Sequence, residues 1–458
     1  MRWLLVAHHL PPRHRAGVEV HTLAFAEALR AAGEDVHLYA TDDDPLREPF
    51  TLRTETLVGL PVHLLAHPRL APEPLATLGT AREEEAFRDV LASVQPEVVH
   101  FQHLMYVGLD AARLARASGA ATMLTLYEYW MLCARNGQMI REDGALCAQA
   151  EDATCAACLG SHRFGRGAVE WRLVRAAAEV AAWSGWDVFP LLKRWQAGIR
   201  GGAAPARQPH ALTAFLRMRR QRMEEALTSM QRILCPSAFL RDMFLRAFPQ
   251  LETRLIVWPN GVVSNPRDGG TLSAAHCTLQ RPLRVGFMGT VTPQKGADVL
   301  LRAVGELPAG AVQVVLFGSV SHEPSFVADL ARLSKGDVTF AGAFTGPPSE
   351  ALARMDVLVV PSRWYENAPF VITEAFAAGV PVVCSDIGGM REMVRHEVDG
   401  LHFSKGDAHA LATQLHRLAT EDGLLQRLAA GIDVQRSLRT EVRDAITLAR
   451  GLVARSSR

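Results

Sequence analysis

Short apolar segments of strand length alternate with amphipathic helical segments twice along this 458-residue chain. In the first half, the apolar segment Trp3–Ala7 is followed by Val18–Ala32, where apolar side chains recur three and four residues apart. The second half repeats this order from Arg284–Met288 onward. Apolar strands separated by helices are typical of parallel sheets that are covered on both faces. The sequence therefore predicts an α/β fold with two doubly wound, Rossmann-like domains.

A Pro-, Gly- and Ser-rich segment between the two halves is the predicted linker. The predicted divisions are an N-terminal domain, the linker, a C-terminal domain and a C-terminal helix that crosses back to the first domain, over 1–262, 263–282, 283–430 and 431–458. The alternation breaks inside the first domain, at a cysteine cluster (133–158) and a largely helical insertion (161–232).

Composition narrows the choice of partners and compartment. The net charge of +1 indicates no nucleic-acid partner. The apolar start, Met1–Ala7, is too short for the core of a signal peptide, and no apolar run is long enough to span a bilayer. An odd number of cysteines, seven, fits a reducing compartment better than a disulfide framework. We expect a cytoplasmic protein.

Two glutamates, Glu366 and Glu374, lie on either side of a Pro-containing turn that leads into a helix. Unpaired N–H groups and the dipole at a helix N-terminus attract phosphate. A carboxylate on each side suits a ligand that has a diphosphate in the middle and hydroxyls at both ends, and a nucleotide sugar is such a ligand. For the pair alone there is an alternative, in which Glu374 complements the helix dipole and Glu366 is a solvated loop acid.

A second loop, Gly286–Gly296, follows a predicted strand and precedes a predicted helix. Its sequence, GFMGTVTPQKG, is neither a Walker A loop nor a GxGxxG fingerprint, but Lys295 stands where a cation can meet phosphate oxygens. Alone, the loop can equally be a plain connection with a surface lysine. Both loops follow strands of one parallel sheet, where ligands gather at the carboxyl ends. Together they favour a sugar-nucleotide site.

These segments resemble the retaining glycosyltransferases of the GT-B fold, family 4, in which two Rossmann-like domains face an interdomain cleft. The resemblance spans most of 283–405 and is weaker in the first half, where it includes the segment Ala16–Glu19. In the second half it rests on Gly289, Lys295-Gly296, Pro361-Ser362, the Glu366…Glu374 spacing, Gly379–Val383 and Gly388-Gly389.

The resemblance implies a retaining, metal-independent hexosyl transfer from a UDP- or GDP-linked sugar. It implies that Lys295 binds the donor diphosphate, Glu366 the donor sugar and Glu374 the ribose. It assigns further donor contacts to Gly17, Gly289, Thr290, Gly342, Ala343, Asn367, Ala368, Pro369, Phe370 and Val371. Many relatives carry Arg at the position of Thr290, so one phosphate contact is absent or supplied elsewhere.

The acceptor side departs from the family at Tyr127, where relatives commonly have His. A tyrosine donates a hydrogen bond but is a poor base at neutral pH. Glu128 or His103 is the candidate substitute. The implied acceptor is a carbohydrate, lipid-linked or small molecule, in the synthesis of a polysaccharide, glycolipid or glycosylated metabolite. Three alternatives remain. The first is another GT-B enzyme such as a sugar-nucleotide epimerase, against which the Glu366 and Glu374 context argues. The others are a non-catalytic nucleotide-sugar-binding protein and a partner subunit of another transferase.

Four cysteines, Cys133, Cys147, Cys155 and Cys158, have the spacing C-x13-C-x7-C-x2-C. Four thiolates with a closing CxxC suit a structural, tetrahedral zinc site, and they leave no open position for catalysis. The alternatives are free thiols on a loop, or disulfides.

The insertion 161–232 contains twelve arginines and one lysine against five acidic residues, and half of the eight tryptophans. Tryptophan with arginine is typical of membrane interfaces, so peripheral contact with a membrane is one interpretation. The other is an amphipathic helical pair that packs on the first domain and has a solvated basic face.

Overall fold

The computed structural model describes residues 1–70, 74–141, 143–160, 162–165, 167–184, 208–263, 282–319, 324–334, 336–344, 346–433 and 435–456. Most of the predicted linker and residues 185–207 of the insertion, which include Trp186, Lys193 and Trp195, lie outside these ranges. The chain divides into two compact units. The first contains Met1–Cys235, Arg241–Trp258 and Val442–Arg458, and the second contains Pro236–Leu240 and Pro259–Glu441.

The first unit contains an eight-stranded sheet with the strand order β3-β4-β2-β1-β5-β6-β7-β8. All neighbouring strands are parallel except the β3–β4 hairpin. The strands are β1 Arg2–Val6, β2 Asp35–Asp42, β3 Leu52–Leu57, β4 Leu60–Ala66, β5 Val98–Phe101, β6 Ala121–Thr125, β7 Arg232–Cys235 and β8 Leu255–Val257. The strand order reverses between β1 and β5, and loops that follow two such strands form the usual ligand crevice of a doubly wound sheet.

Seven helices accompany this sheet within the described residues. They are α1 Gly17–Ala31, α2 Ala81–Val94, α3 Asp110–Ala117, α4 Asp152–Leu159, α5 Ala168–Ser184, α6 Pro209–Thr228 and α7 Ala238–Ala247. Helix α1 buries Phe25, Ala26 and Leu29, which lie on one face at helical spacing. A capping box between Thr80 and Glu83 fixes the start of α2.

The second unit contains a six-stranded sheet that is parallel throughout, with the order β11-β10-β9-β12-β13-β14. The strands are β9 Leu283–Met288, β10 Val312–Phe317, β11 Val338–Gly342, β12 Val357–Val360, β13 Val382–Ser385 and β14 Gly400–Phe403. Here the order reverses between β9 and β12, which places the loops after these two strands at the ligand crevice of the sheet. Two mainly parallel, doubly wound sheets confirm the predicted fold class.

Both faces of the second sheet are buried. Along β12, Val357 and Val359 pack into the hydrophobic core on one face, whereas Leu358 and Val360 pack into the core on the other. Side chains of a strand point alternately to its two faces, so only a strand covered on both sides is apolar at every position. The near-continuous apolar runs in the sequence arise because both faces of this sheet are buried.

The helices of the second unit are α8 Ala297–Gly305, α9 Pro324–Leu333, α10 Pro348–Leu352, α11 Phe370–Ala377, α12 Gly388–Met393, α13 Ala408–Thr420 and α14 Leu424–Ala430. The last helix, α15 Leu438–Ser456, has its first four residues in the second unit and the others in the first unit. The helix that was predicted to start at residue 431 begins at Leu438. Its start is held by Glu441, whose Oε2 accepts the Gly261 backbone N–H at 2.6 Å. From Val442 onward the chain groups with the first unit, where Arg450 lies 3.6 Å from Glu34. Among the described residues, no helix has the length and apolar character that crossing a membrane requires.

Candidate functional site

The loop after β9 is built around a close approach of two backbones in the second unit. Gly296 has a φ of 73°, and a Cβ atom at this position would lie 2.0 Å from the carbonyl oxygen of Pro361, which follows β12. Only glycine fits both the left-handed conformation and this contact. The Arg363 backbone N–H donates to the Gln294 carbonyl at 2.8 Å, and its guanidinium donates to Asp298 at 2.6 Å. These contacts join the loops that follow β9 and β12.

Lys295 and Glu366 form an ion pair across these joined loops, with 2.6 Å between Nζ and Oε1. The same carboxylate oxygen accepts hydrogen bonds from the Ser362 hydroxyl and the Trp364 indole N–H, each at 2.8 Å. The sequence pattern predicted Lys295 and Glu366 as site residues, but not Ser362 or Trp364. The Pro361-Ser362 pair was part of the family resemblance, and the signal for Trp364 was its position two residues before the glutamate.

The Glu366 carboxylate is held in its ionised form. Burial alone would raise the pKa of Glu366, but the charge of Lys295 and the hydrogen bonds from Lys295, Trp364 and Ser362 outweigh burial and lower the pKa below its usual value. The site thus combines a fixed anion with a cation whose side chain remains about 30% exposed. An ammonium group that is partly exposed at a strand end can reach phosphate oxygens.

The segment Asn367–Val371 leads into α11 and is packed closely against the Gly388-Gly389 turn. The Gly389 N–H donates to the Glu366 carbonyl at 2.9 Å, and a Cβ on Gly389 would lie 1.4 Å from the carbonyl oxygen of Asn367. The Asn367 side chain accepts a hydrogen bond from Ser237 at 2.7 Å. Pro369 precedes the first helical residue, Phe370, so the N-terminus of α11, which is the positive end of the helix dipole, begins four residues after Glu366 in the chain.

Glu374 is half-buried on α11, and burial raises its pKa to about 7. Within the described residues, no hydrogen bond or ion pair engages its carboxylate. A desolvated carboxylate without a partner is costly in a folded protein, and a ligand with hydroxyl groups can supply the missing hydrogen bonds.

The remaining residues predicted in the second unit lie at the same edge of the sheet. Gly289 follows β9 with a φ of 140°, and the exposed Thr290 follows it. Gly342 ends β11 with a φ of 74°, its carbonyl accepts the Gly318 N–H at 2.7 Å, and Ala343 follows it as an exposed residue. Their placement suits ligand contacts, and their roles stay predictions.

In the first unit, His103 and Glu128 lie together at the ends of β5 and β6. The Nε2 of His103 is 3.1 Å from the Glu128 carboxylate, and its Nδ1 accepts the Met105 backbone N–H at 2.9 Å. Because Nδ1 is an acceptor, Nε2 carries the proton and donates to Glu128. Glu128 also accepts the Trp130 backbone N–H. Both nitrogens of His103 are therefore occupied, and Glu128 is the better placed proton acceptor of the two.

His8, at the end of β1, packs its ring against that of His103, with 4.5 Å between the ring centroids. Its Nε2 lies 3.2 Å from Glu19, in the first turn of α1, two residues after the exposed Gly17. Burial, together with the charge that His103 would carry when protonated, lowers the pKa of His8. The sequence pattern predicted no role for His8 or Glu19. The signal for them was a histidine directly after a buried strand and an acid in the helix that follows.

Tyr127 belongs to a separate hydrogen-bond network in the same unit. Its hydroxyl donates to the Gln102 side-chain oxygen at 2.8 Å and lies 3.1 Å from the Nδ1 of His21. His21 is buried within α1, and Gln102 directly follows β5. The structure thus holds Tyr127 as a fixed hydroxyl rather than as a mobile side chain.

The four cysteines do not support the predicted zinc site. Cys133, Cys147, Cys155 and Cys158 are free and half-buried. Within the described part of the chain, no three His, Cys, Asp or Glu side chains are grouped so that they could hold a metal ion. Burial, followed by the charges of the other three cysteines, raises the pKa of Cys147 to about 11. Spacing along the chain predicted four thiols in one region but not their separation in space.

Two family models match the chain. The model Glycosyltransferase Family 4 matches residues 15–146, and the model Glycosyl transferases group 1 matches residues 282–421. The second match contains every predicted donor residue except Gly17, which lies in the first.

Curated relatives match over part of their length. The D-inositol 3-phosphate glycosyltransferase of Xylanimonas cellulosilytica is 36% identical over 151 residues, which cover 32% of this chain and 36% of that protein. The alpha-maltose-1-phosphate synthase of Mycobacterium tuberculosis is 30% identical over 210 residues, which cover 42% of this chain and 54% of that protein. The chain thus spans about a third to a half of the length of these relatives.

Solved structures match over nearly the whole chain. HepE of Anabaena, solved with UDP and glucose, has a TM-score of 0.61 at 16% identity and covers 98% of this chain and 100% of its own. Sucrose-phosphate synthase of Thermosynechococcus elongatus has a TM-score of 0.62 at 18% identity and covers 99% of this chain and 98% of its own. At these identities the likeness concerns the fold, and it agrees with the two Rossmann-like domains described above.

Proposed function

This chain is a group 1 glycosyltransferase with the GT-B fold, and we propose that it transfers a hexose from a UDP- or GDP-linked donor to an acceptor hydroxyl. We further propose that the anomeric configuration is retained and that no catalytic metal takes part. The observation that carries the proposal is the ion pair of Lys295 with Glu366 beside the first turn of α11. Complexes of the Anabaena neighbour with UDP support a nucleotide-sugar donor.

The second unit would hold the donor. Lys295 and the N-terminus of α11 would meet the diphosphate, with Gly289 as a further close contact. Glu366, held ionised, would accept hydrogen bonds from the sugar hydroxyls, and Glu374 would accept those of the ribose. Backbone groups around Gly342 and Ala343 would lie against the base. The donor's phosphates would meet the positive groups, and its hydroxyls would meet the carboxylates.

Transfer would proceed on one face of the sugar. The acceptor oxygen forms a bond to the anomeric carbon on the face from which the diphosphate oxygen leaves, so configuration is retained. The acceptor proton passes to an oxygen of the leaving phosphate. Lys295 and the helix N-terminus stabilise the negative charge that builds up on the diphosphate, which replaces the role that a metal has in other transferases.

The first unit would hold the acceptor. Glu128, oriented by the His103 N–H, would accept a hydrogen bond from an acceptor hydroxyl, and Tyr127 would donate or accept one. The named relatives act on inositol 3-phosphate and form maltose 1-phosphate, which supports a carbohydrate, small-molecule or lipid-linked acceptor, as found in polysaccharide, glycolipid or metabolite synthesis.

A second candidate is a nucleotide-sugar-binding protein without turnover, or a partner subunit of another transferase. The observation that favours it is Tyr127, which stands where the family commonly has His and is held in hydrogen bonds by Gln102 and His21.

Nucleotide release separates these functions. The purified chain is incubated with UDP- and GDP-hexoses and a panel of acceptors, beside Glu366→Gln and, as a matched control on the same unit, the exposed Glu350→Gln. The proposal expects acceptor-dependent release that Glu366→Gln abolishes and Glu350→Gln leaves unchanged. Donor binding without release across the panel supports the binding protein instead, and the absence of donor binding refutes both.

A further inference from the structure

A cavity of about 250 Å³ lies in the first unit. Its walls come mainly from α4, α6, α7 and the chain segment that precedes α4, and the residues of the Lys295–Glu366 site do not line it. A single buried water needs roughly 10–15 Å³, so the cavity is much larger than a packing defect. Pockets for drug-sized ligands measure roughly 300–1,000 Å³. The size of the cavity therefore suits a small molecule rather than a nucleotide sugar.

One wall of the cavity carries an arginine on the buried face of α6. Leu212, Phe215, Arg219 and Met223 recur three and four residues apart, and each is less than a tenth exposed. An apolar residue is expected at each position of such a face, because arginine is almost never fully buried unless it is paired. Arg219 also lines the cavity. It is therefore the residue of α6 whose burial needs an explanation.

Backbone carbonyl groups explain the burial of Arg219 only in part. Its guanidinium donates hydrogen bonds to the carbonyl oxygens of Trp130 and of Met131, the latter at 3.3 Å, and its Cζ lies 5.6 Å from the centroid of the Trp130 ring. These two bonds use two of the five N–H donors of a guanidinium. They leave its positive charge uncompensated, and burial lowers the pKa of Arg219 to about 10. The side chain remains protonated at neutral pH, so the wall of the cavity contains a cation.

No acidic side chain within the described ranges pairs with Arg219. Asp152 lines the cavity, but its carboxylate is engaged by Arg220 at 3.1 Å. A second arginine of the cavity, the exposed Arg246, donates to the sulfur of Met243 at 2.8 Å and has no acidic partner in the described part of the chain. A buried charge without a counter-ion is costly. The cavity thus presents two guanidinium groups that no carboxylate of the described chain neutralises.

We propose that this cavity binds a small organic anion with a phosphate or carboxylate group. The planar guanidinium of Arg219 matches either group in a bidentate geometry, and Arg246 supplies a second positive charge. Much of the remaining wall is apolar and suits the body of the ligand. It includes Met131, Leu132, Met139, Leu216, Met243 and Phe248. A neutral molecule of the same size would leave Arg219 without a counter-ion, so charge selects the anion. The proposal does not depend on the transferase activity.

Calorimetric titration of the full chain with phenyl phosphate, benzoate and the neutral benzyl alcohol tests the site. Arg219→Gln removes the charge but keeps an amide that can donate to the Trp130 carbonyl. Arg246→Gln removes the second charge at an exposed position. Arg241→Gln is its matched control, because Arg241 lies on the same helix and does not line the cavity. Lys295→Met removes the cation of the proposed donor site.

We expect phenyl phosphate or benzoate to bind the native chain at least about tenfold more tightly than benzyl alcohol, because the neutral probe cannot pair with a guanidinium. Arg219→Gln should lower the affinity for the anion about tenfold, and Arg246→Gln about threefold. Arg241→Gln and Lys295→Met should match the native chain. The anion that binds more tightly identifies the head group that the cavity prefers.

Circular dichroism and urea denaturation show whether Arg219→Gln folds. A folded Arg219→Gln variant with native affinity would overturn the proposal. If that variant does not fold, Arg246→Gln is compared with Arg241→Gln, and equal affinities of these two would overturn it. So would equal binding of benzyl alcohol, no binding of either anion, or anion binding that Lys295→Met abolishes, since the probe would then occupy the donor site. Nucleotide release is not measured in this test, so a failed transferase assignment leaves its result unchanged.

Discussion

In each sheet, the loops at the reversal of strand order bring polar side chains together, but the kind of side chain differs between the two units. In the second unit, the loops after β9 and β12 are joined by full charges, Lys295 with Glu366 and Arg363 with Asp298. In the first unit, the loops after β1 and β5 bring the rings of His8 and His103 together, and burial lowers the pKa of His8. Ion pairs suit a charged ligand, whereas the His8 imidazole, whose lowered pKa keeps it neutral, and a tyrosine hydroxyl suit hydroxyl groups. We therefore propose a phosphate-binding site on the second unit and a site for hydroxyl groups on the first.

Removal of the cation tests the charged side of this comparison. Lys295→Met leaves the carboxylate of Glu366 buried with only neutral donors, and we expect a loss of about 2 kcal/mol in the free energy of unfolding. We also expect nucleotide-sugar affinity to fall about 100-fold, or about 3 kcal/mol, because a charge-assisted phosphate contact is lost. Urea denaturation and calorimetric titration with UDP- and GDP-sugars measure the two effects.

Lys405→Met is the control for this variant, because Lys405 lies after β14 in the same unit and forms no ion pair among the described residues. Equal affinities of the two variants would remove the distinction between a charged and a neutral site.

The close approach of the joined loops predicts a difference between two glycines. Gly296 and Gly406 have nearly the same φ, 73° and 74°, but only Gly296 would place a Cβ against a carbonyl oxygen, at 2.0 Å. Gly406→Ala should cost about 1 kcal/mol from the left-handed backbone alone. Gly296→Ala should cost about 3 kcal/mol, because the loops after β9 and β12 must separate. Similar midpoints of urea unfolding for the two variants would show that the loops are not held together at this contact.

The fold could be predicted from the sequence wherever burial of side chains determined the spacing of apolar residues. The predicted helix Val18–Ala32 is observed at Gly17–Ala31, and the predicted strand Arg284–Met288 is observed at Leu283–Met288, since an apolar stripe or an apolar run is visible in a single sequence. The β3–β4 hairpin was missed. Its turn has Val58 with a φ of 47° before Gly59, and a β-branched residue is unusual in that conformation. Turn signals such as Asn-Gly are absent there, so the sequence offers little local evidence.

The site could be predicted in part. Lys295 and Glu366 were expected near each other because both follow neighbouring strands of one sheet, and the structure places them 2.6 Å apart. The hydrogen bonds from Ser362 and Trp364 depend on the backbone conformation of a loop. The spacing of apolar residues in the sequence does not reveal that conformation. The contact of His8 with Glu19 could not be predicted for the same reason. The spacing of the cysteines predicted a zinc site, but the described residues contain no group of side chains placed to hold a metal ion. The roles of these residues in binding and catalysis remain predictions.

Protonation of Glu374 makes the second unit sensitive to pH. Its pKa is raised from 4.5 to about 7 by burial, so between these values the folded chain keeps a proton that the unfolded chain releases. Stability contributed by the protonated group is complete below pH 4.5 and is lost as pH rises toward 7. Relative to Glu374→Gln, the native chain should lose about 2 kcal/mol of unfolding free energy across this range. Urea denaturation at several pH values measures it, and a difference that is independent of pH would contradict the buried carboxyl.

The smallest effect is expected on the neutral side, at Tyr127. Tyr127→Phe removes the hydroxyl that bonds Gln102 and lies near His21, and acceptor-dependent transfer should fall about tenfold, or about 1.4 kcal/mol. Nucleotide-sugar affinity should not change, because the donor groups lie on the other unit. Tyr39→Phe is the matched control, since the Tyr39 hydroxyl is buried without a partner among the described residues.

Tyr127→His restores the residue that relatives commonly carry. If turnover rises in this variant while donor affinity stays constant, Tyr127 limits the rate. If Tyr127→Phe lowers donor affinity instead, the division into a charged donor site and a neutral acceptor site is wrong, because a hydroxyl of the first unit would then take part in holding the nucleotide.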